Sequence, residues 1–143
     1  MIDALSDLAK IATAAAVIVA AWQLVLSQRQ SVTNFEDSFA KEYRELAATL
    51  PIKALLGEAL TDEEYAQCID KMYHYLDLCN QQVFLRKAGR ISDKTWTFWH
   101  DGIASNLKRP AFKRAWAEIA ARASGDFSEL RELFPPGVWA ARS

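Results

Sequence analysis

The stretch IATAAAVIVAAWQLVL, residues 11–26, decides the fold of this chain. It has no charged side chain, and its polar side chains are Thr13 and Gln23. Extended back to Leu8, the run would make about 28 Å of helix, close to the roughly 30 Å hydrocarbon core of a bilayer. Its large aliphatic side chains favour insertion by about 3 to 4 kcal/mol in total. We therefore predict a transmembrane anchor over residues 1–30.

Two other interpretations of the run stay open. A helix that is apolar all round can also lie in a soluble core, which requires the rest of the protein to enclose it. A cleaved signal peptide needs a basic start and a small-residue cleavage site, whereas Asp3 and Asp7 precede this run and Trp22 lies inside it. The near match between run length and bilayer thickness favours the anchor.

The bases around the run set its expected orientation. Lys10 precedes the aliphatic side chains, while Arg29, Lys41 and Arg44 follow them. The cytoplasmic side of a span usually carries the excess of Lys and Arg. We therefore expect a single-pass protein of a bacterial inner membrane, with residues 31–143 forming a cytoplasmic domain.

Ala12, Ala16 and Ala20 recur every fourth residue within the run. This small-xxx-small spacing lets two transmembrane helices approach closely. In a segment rich in alanine the spacing also arises by chance. The expected partners are the lipid bilayer and either a second copy of the chain or another protein.

Residues 31–143 carry the start and stop signals of further helices. No Gly or Pro occurs before Pro51, so the first helix should continue to about Leu50. The later signals are the capping-box pair Thr61 and Glu64, the stop Gly89, the N-cap Ser92 and the helix opener Pro110. They predict helices over 62–88, from 93 and from 110, and a short one over 128–134. We expect an all-α fold in which the membrane helix continues into a small antiparallel bundle.

The net charge of −1 conceals an uneven distribution. Residues 31–64 contain eight acids and three bases, and residues 65–114 contain four acids and nine bases. Two blocks of opposite charge can attract each other within the fold or between subunits. A nucleic-acid-binding protein usually has an uncompensated basic excess, so nucleic acid is not the expected partner.

The chain lacks the residue patterns of familiar enzymes. It has no nucleotide-binding glycine loop, no nucleophile elbow and no paired C-x-x-C, and two histidines are too few for most zinc sites. Cys68 and Cys79 are expected to be buried free thiols without an activating base. Asp70, His74 and Asp77 share one helix face at metal-ligand spacing, but a solvated surface explains that face more simply. We predict no enzyme activity, no metal and no cofactor.

Polar residues outside any catalytic pattern form candidate interaction sites. Asp77, Asn80 and Gln81, next to Gln82, are expected to form a polar network between helices. A basic patch would form if two helix junctions meet, and solvated charge is its alternative. The patch residues are Arg86, Lys87, Arg90, Lys108, Arg109, Lys113 and Arg114. Such a patch would contact anionic headgroups, the acidic block or a phosphate-bearing ligand. Trp139 is expected to fold back or to contact another chain.

Residues spread over most of the chain carry a resemblance to a known family. They are Phe35, Tyr43, Leu50, Pro51, Tyr75, Asp77, Asn80, Gln81, Gly89, Arg90, Ile91, Trp96, Trp99, Gly102, Arg109, Pro110, Phe112 and Trp116. In these residues the chain resembles an uncharacterised family of small bacterial membrane-anchored helical proteins. The resemblance implies a cytoplasmic helical body behind one anchor. It implies no activity, because none is assigned to the family.

These patterns predict a non-enzymatic, membrane-anchored protein that acts as an interaction or scaffold module and self-associates. One alternative is an oligomeric membrane effector, toxin-like or active in phage defence, that perturbs the bilayer through the alanine face. A second alternative is binding of nucleic acid or a phosphate-bearing ligand through the basic patch.

Overall fold

The computed structural model describes the backbone of residues 2–137 and the side chains of residues 10–137. Within this range all regular secondary structure is helical, which confirms the predicted all-α class. The helices, in chain order, are α1 (Ile2–Ala47), α2 (Ile52–Leu55), α3 (Asp62–Ala66), α4 (Ile69–Lys87), α5 (Asp93–Lys108), α6 (Pro110–Arg122) and α7 (Ser128–Leu133).

Helix α1 is long and apolar enough to cross a membrane, as predicted for the N-terminal run. Every side chain of residues 10–31 is exposed, including the large side chains of Ile11, Trp22 and Leu24. The chain divides into two compact units, Met1–Phe35 and Glu36–Ser143, so the last turns of α1 belong to the second unit. The described residues therefore contain one candidate membrane span and a helical body.

The predicted start and stop signals act in the structure as caps and turns. Thr61 Oγ1 accepts a hydrogen bond from the Glu64 N–H at 3.2 Å, and the Glu64 carboxylate accepts from the Thr61 N–H at 3.0 Å. This pair is the capping box that begins α3. The Ser92 hydroxyl caps α5 by accepting a hydrogen bond from the Thr95 N–H, Gly89 follows α4 with a φ of +69°, and Pro110 is the first residue of α6. Local chemistry therefore sets these boundaries.

The structure corrects one predicted helix. The sequence predicts a continuous helix over 62–88, whereas the structure breaks it between α3 and α4. The Tyr65 ring is buried, its hydroxyl donates to Glu118 of α6 at 2.9 Å, and the Arg114 guanidinium lies 3.8 Å from the ring centre. These contacts hold α3 against α6. Because no Gly or Pro marks the break, packing between helices sets it, and local propensity does not.

The core of the second unit is built mainly by α4, α5 and α6, with α7 packed against α4. Trp116 is its largest fully buried side chain, and its indole N–H donates to the Phe134 carbonyl at 2.9 Å. A smaller cluster joins Leu85, Ile91 and Trp99. Packing in these two clusters sets which faces of α4 and α5 border a cleft in the second unit.

Candidate functional site

A cleft of about 310 Å³ lies within the second unit. The last turns of α1, the part of α4 from Tyr75 to Gln82 and the part of α5 from Phe98 to Asn106 contribute its walls. Tyr75 and Gln82 come from α4, and Trp99, Ile103 and Asn106 come from α5. The volume is at the lower end of the range for small-molecule sites, roughly 300 to 1,000 Å³.

Most of the lining is apolar or aromatic. Trp99 is 8% exposed, and its ring centre lies 5.7 Å from that of Phe39 in α1. Ile103 is buried beside it, while Phe98 is 79% exposed and therefore forms part of the rim. Gly102 also lines the cleft, and a Cβ built on it would meet no atom within 4 Å. The walls can therefore contact an apolar molecule of modest size.

A buried hydrogen-bonded pair of side chains forms one polar part of the cleft lining. Asn106 Nδ2 donates to the Tyr75 hydroxyl at 2.8 Å, and both residues are buried. The Tyr75 ring packs against Tyr43, at 6.3 Å between ring centres, and against Phe112, at 4.9 Å. Burial raises the pKa of Tyr75 well above its usual value. The phenol therefore stays protonated at neutral pH and acts only as a hydrogen-bonding group.

Gln82 is a buried polar residue of the cleft. Its side chain is 5% exposed, and within residues 10–137 no hydrogen bond joins its amide to another residue. The amide atoms of Gln82 are not among the fully enclosed side-chain atoms that lack a partner, so they reach solvent through the cleft. The Gln82 carbonyl and NH2 are therefore available to a polar group that enters the cleft.

Arg44 gives the cleft its charge. Within the part of the chain that the structure describes, it is the one charged residue of the lining, and no carboxylate borders the cleft. Amide, phenol and guanidinium groups bind and orient a ligand but do not exchange protons readily at neutral pH. The arrangement is suited to binding.

The sequence contained a signal for two of these residues. Gln82 is three residues after the buried Cys79, so it lies on the buried side of α4. Asn106 is likewise three residues after the buried Ile103 in α5. An amide at this spacing within an apolar stripe indicates a buried polar site, although its partner depends on the packing of other helices.

The basic residues predicted to form one patch have different partners. Arg86 and Lys87, in the last turn of α4, pair with carboxylates of α5 and α7. Arg114 of α6 pairs with Asp62 of α3 at 2.9 Å. The described ion pairs of Arg86 and Lys87 are thus with α5 and α7, and that of Arg114 is with α3. Of the other members, Arg90 and Lys108 are exposed, and Arg109 and Lys113 are half-buried.

The predicted polar network divides in a similar way. Asn80 Oδ1 accepts a hydrogen bond from the Leu130 N–H at 3.0 Å, so α4 caps the first turn of α7. Gln81 donates to Asp77 at 3.1 Å within α4, on its exposed side. Asn80 is thus the member that joins two helices in the described structure.

Replacing Asn80 with alanine is expected to lower the free energy of unfolding by about 1 kcal/mol, because the Leu130 N–H loses its acceptor. Asn80→Asp places a carboxylate oxygen where the amide oxygen accepts, and a negative charge is favourable at a helix N-terminus, so this variant should lose less stability. Urea unfolding in detergent, followed by circular dichroism, measures both variants. Equal destabilisation by the two substitutions would contradict the capping role.

Cys68 and Cys79 are free and buried, as the sequence predicted. Burial raises the pKa of both thiols, that of Cys79 to about 12. Since the thiolate is the nucleophile, both cysteines are poorly reactive at neutral pH.

His74 and Asp77 border a shallow depression together with Glu42 and Glu45 of α1. Among the side chains of residues 10–137, no group of three metal-ligating residues is placed to hold a metal ion. Asp70, the third residue of the predicted ligand spacing, is exposed.

Ala12, Ala16 and Ala20 lie in α1, and all three are exposed. Their spacing of four places them along one side of the helix. Trp139 lies outside the described residues.

No protein-family model, curated protein or solved structure matches the chain. Over the residues that the structure describes, the fold and the cleft define its class: an all-helical protein with one candidate membrane span and a small, mostly apolar cleft in its body. The resemblance to a family of small membrane-anchored proteins stays a prediction.

Proposed function

We propose that the chain is a single-pass protein of a bacterial inner membrane, whose cytoplasmic body works by binding to itself or to another protein. The body would be a small antiparallel helical bundle, in agreement with the resemblance to membrane-anchored helical proteins. The proposal assigns it an interaction or scaffold role without catalysis.

The exposure of the N-terminal run carries the proposal. Side chains of residues 10–31 are exposed throughout, and a helix with its apolar side chains in water would be costly. A lipid environment removes this surface from water, and Trp22 and Arg29 suit the interface at one end. The bases Arg29, Lys41 and Arg44 favour the cytoplasm for the body.

The contacts between α4 and α5 support the antiparallel arrangement proposed for the body. Tyr75, early in α4, bonds Asn106, late in α5, whereas Leu85, late in α4, clusters with Ile91 and Trp99 near the start of α5. Such pairing is expected of antiparallel neighbours.

The groups that the body presents support a binding role. The buried thiols are protonated, and the cleft presents hydrogen-bonding groups. Self-association would use Ala12, Ala16 and Ala20, whose small side chains allow two spans to approach.

Fractionation of the full-length protein tests the anchor. We expect the protein in the membrane pellet after ultracentrifugation, where a high-salt wash should leave it and detergent should release it. A soluble enzyme and a known integral membrane protein serve as markers. The mass of the detergent-extracted particle, corrected for bound detergent, then gives its assembly. Recovery of the protein in the first supernatant would refute the anchor, and a monomer would refute self-association.

A further inference from the structure

We propose that the cleft between α1, α4 and α5 binds a small, mainly apolar or aromatic organic anion. The residues that carry the inference are Arg44, Gln82, Trp99 and Asn106. They all belong to the second unit, so the inference does not depend on the membrane anchor.

The size and walls of the cleft select the apolar part of the ligand. About 310 Å³ holds roughly ten water molecules at about 30 Å³ each, or one small ring compound. Trp99 and Ile103 are buried along the wall, and exposed Phe98 adds a ring at the rim. Aromatic walls contribute large contact area and favour offset or edge-on packing of a ligand ring.

The charge of the lining selects an anion. Arg44 is its one cation, and no acid borders the cleft within the described residues. A guanidinium binds carboxylate or sulfonate groups with paired, charge-assisted hydrogen bonds. A cationic ligand would meet Arg44 without any carboxylate to offset the repulsion.

The buried amides select a ligand with a hydrogen-bonding head group. Gln82 is 5% exposed and has no hydrogen-bond partner in residues 10–137, and Asn106 uses Nδ2 on Tyr75. A ligand carboxylate can accept a hydrogen bond from the Gln82 NH2 group. Because the Gln82 amide atoms reach solvent through the cleft, a ligand head group can take the place of the water that would hydrate them.

Binding of three matched probes to the full-length protein in lipid nanodiscs tests the proposal. The probes are 1-naphthoate, the neutral 1-naphthamide and the cationic 1-naphthylmethylammonium, and saturation-transfer NMR or calorimetry gives their affinities. We expect the affinity to be highest for the anion, lower for the neutral probe and lowest for the cation. Arg44→Gln should lower the affinity for the anion about fivefold or more and leave the affinity for the neutral probe nearly unchanged.

Two further variants locate the binding in the cleft. Gly102→Leu should fill the free space beside Gly102 and abolish binding, whereas Gly102→Ala adds only a methyl group and should retain it. Gln82→Met keeps the length of the side chain without its polar atoms. This variant should lower the affinity for 1-naphthoate about fivefold or more, while its unfolding midpoint stays equal to that of the wild type or rises.

Four results would overturn the proposal. The first is the absence of saturable binding of any probe. The second is equal affinity for the anion and the cation. The third is binding that Gly102→Leu leaves unchanged and that scales with the amount of lipid, which means partition into the bilayer. The fourth is a Gln82→Met variant that unfolds more easily than the wild type, which would assign Gln82 to the fold instead.

Discussion

Replacing Ile18 and Val19 with aspartate is expected to move the protein from the membrane fraction to the soluble fraction. Both side chains are exposed near the middle of the apolar run. An aspartate at the centre of a span costs about 2.5 to 3.5 kcal/mol. Two of them therefore exceed the total of about 3 to 4 kcal/mol by which the aliphatic side chains favour insertion.

The matched control is Ile18→Leu with Val19→Leu, which keeps the run apolar and should stay in the pellet. Flotation of lysate on a density gradient separates true membrane association from aggregation, since only vesicles rise. If the aspartate variant floats with lipid as fully as the leucine variant, the run does not hold the protein in the bilayer.

Replacing Trp116 with alanine is expected to lower the free energy of unfolding of the body by about 3 to 5 kcal/mol. Trp116 is 1% exposed in α6, and its ring meets the Phe127 ring edge-on at 6.0 Å. The substitution removes the largest fully buried side chain of the described residues, together with the indole N–H that donates to the Phe134 carbonyl. A domain of this size is stable by only about 5 to 15 kcal/mol, so the loss is a large part of the total.

Two other variants separate the causes of the loss. Trp116→Phe keeps most of the apolar volume but loses the N–H, so its free energy of unfolding should lie between those of Trp116→Ala and the wild type. Phe84→Ala removes an aromatic ring that is 55% exposed and should change the free energy by less than about 0.5 kcal/mol. Urea unfolding followed by circular dichroism measures all three. Equal midpoints for Trp116→Ala and Phe84→Ala would contradict the assigned core.

The sequence predicted the features that local chemistry determines. The Thr61 capping box, the Ser92 cap, the Gly89 stop and the Pro110 start all depend on one to four consecutive residues, and all are present. The length and apolar character of the N-terminal helix are equally local.

Features that depend on distant contacts were missed or stay predictions. The break before α4 follows from the contact of Tyr65 with Glu118, which lies 53 residues later. The cleft needs three helices to meet, and the Tyr75–Asn106 bond spans 31 residues. The basic residues are grouped by their carboxylate partners on other helices, which spacing along the chain does not specify.

The enclosed thiols of Cys68 and Cys79 make this chain suited to site-directed labelling. An engineered cysteine at exposed Ser105 would be ionised far more than Cys79, whose pKa is about 12, so a maleimide would mark it selectively without removal of the native residues. With a reagent that cannot cross lipid, intact and opened cells would then report which face of the membrane the body occupies.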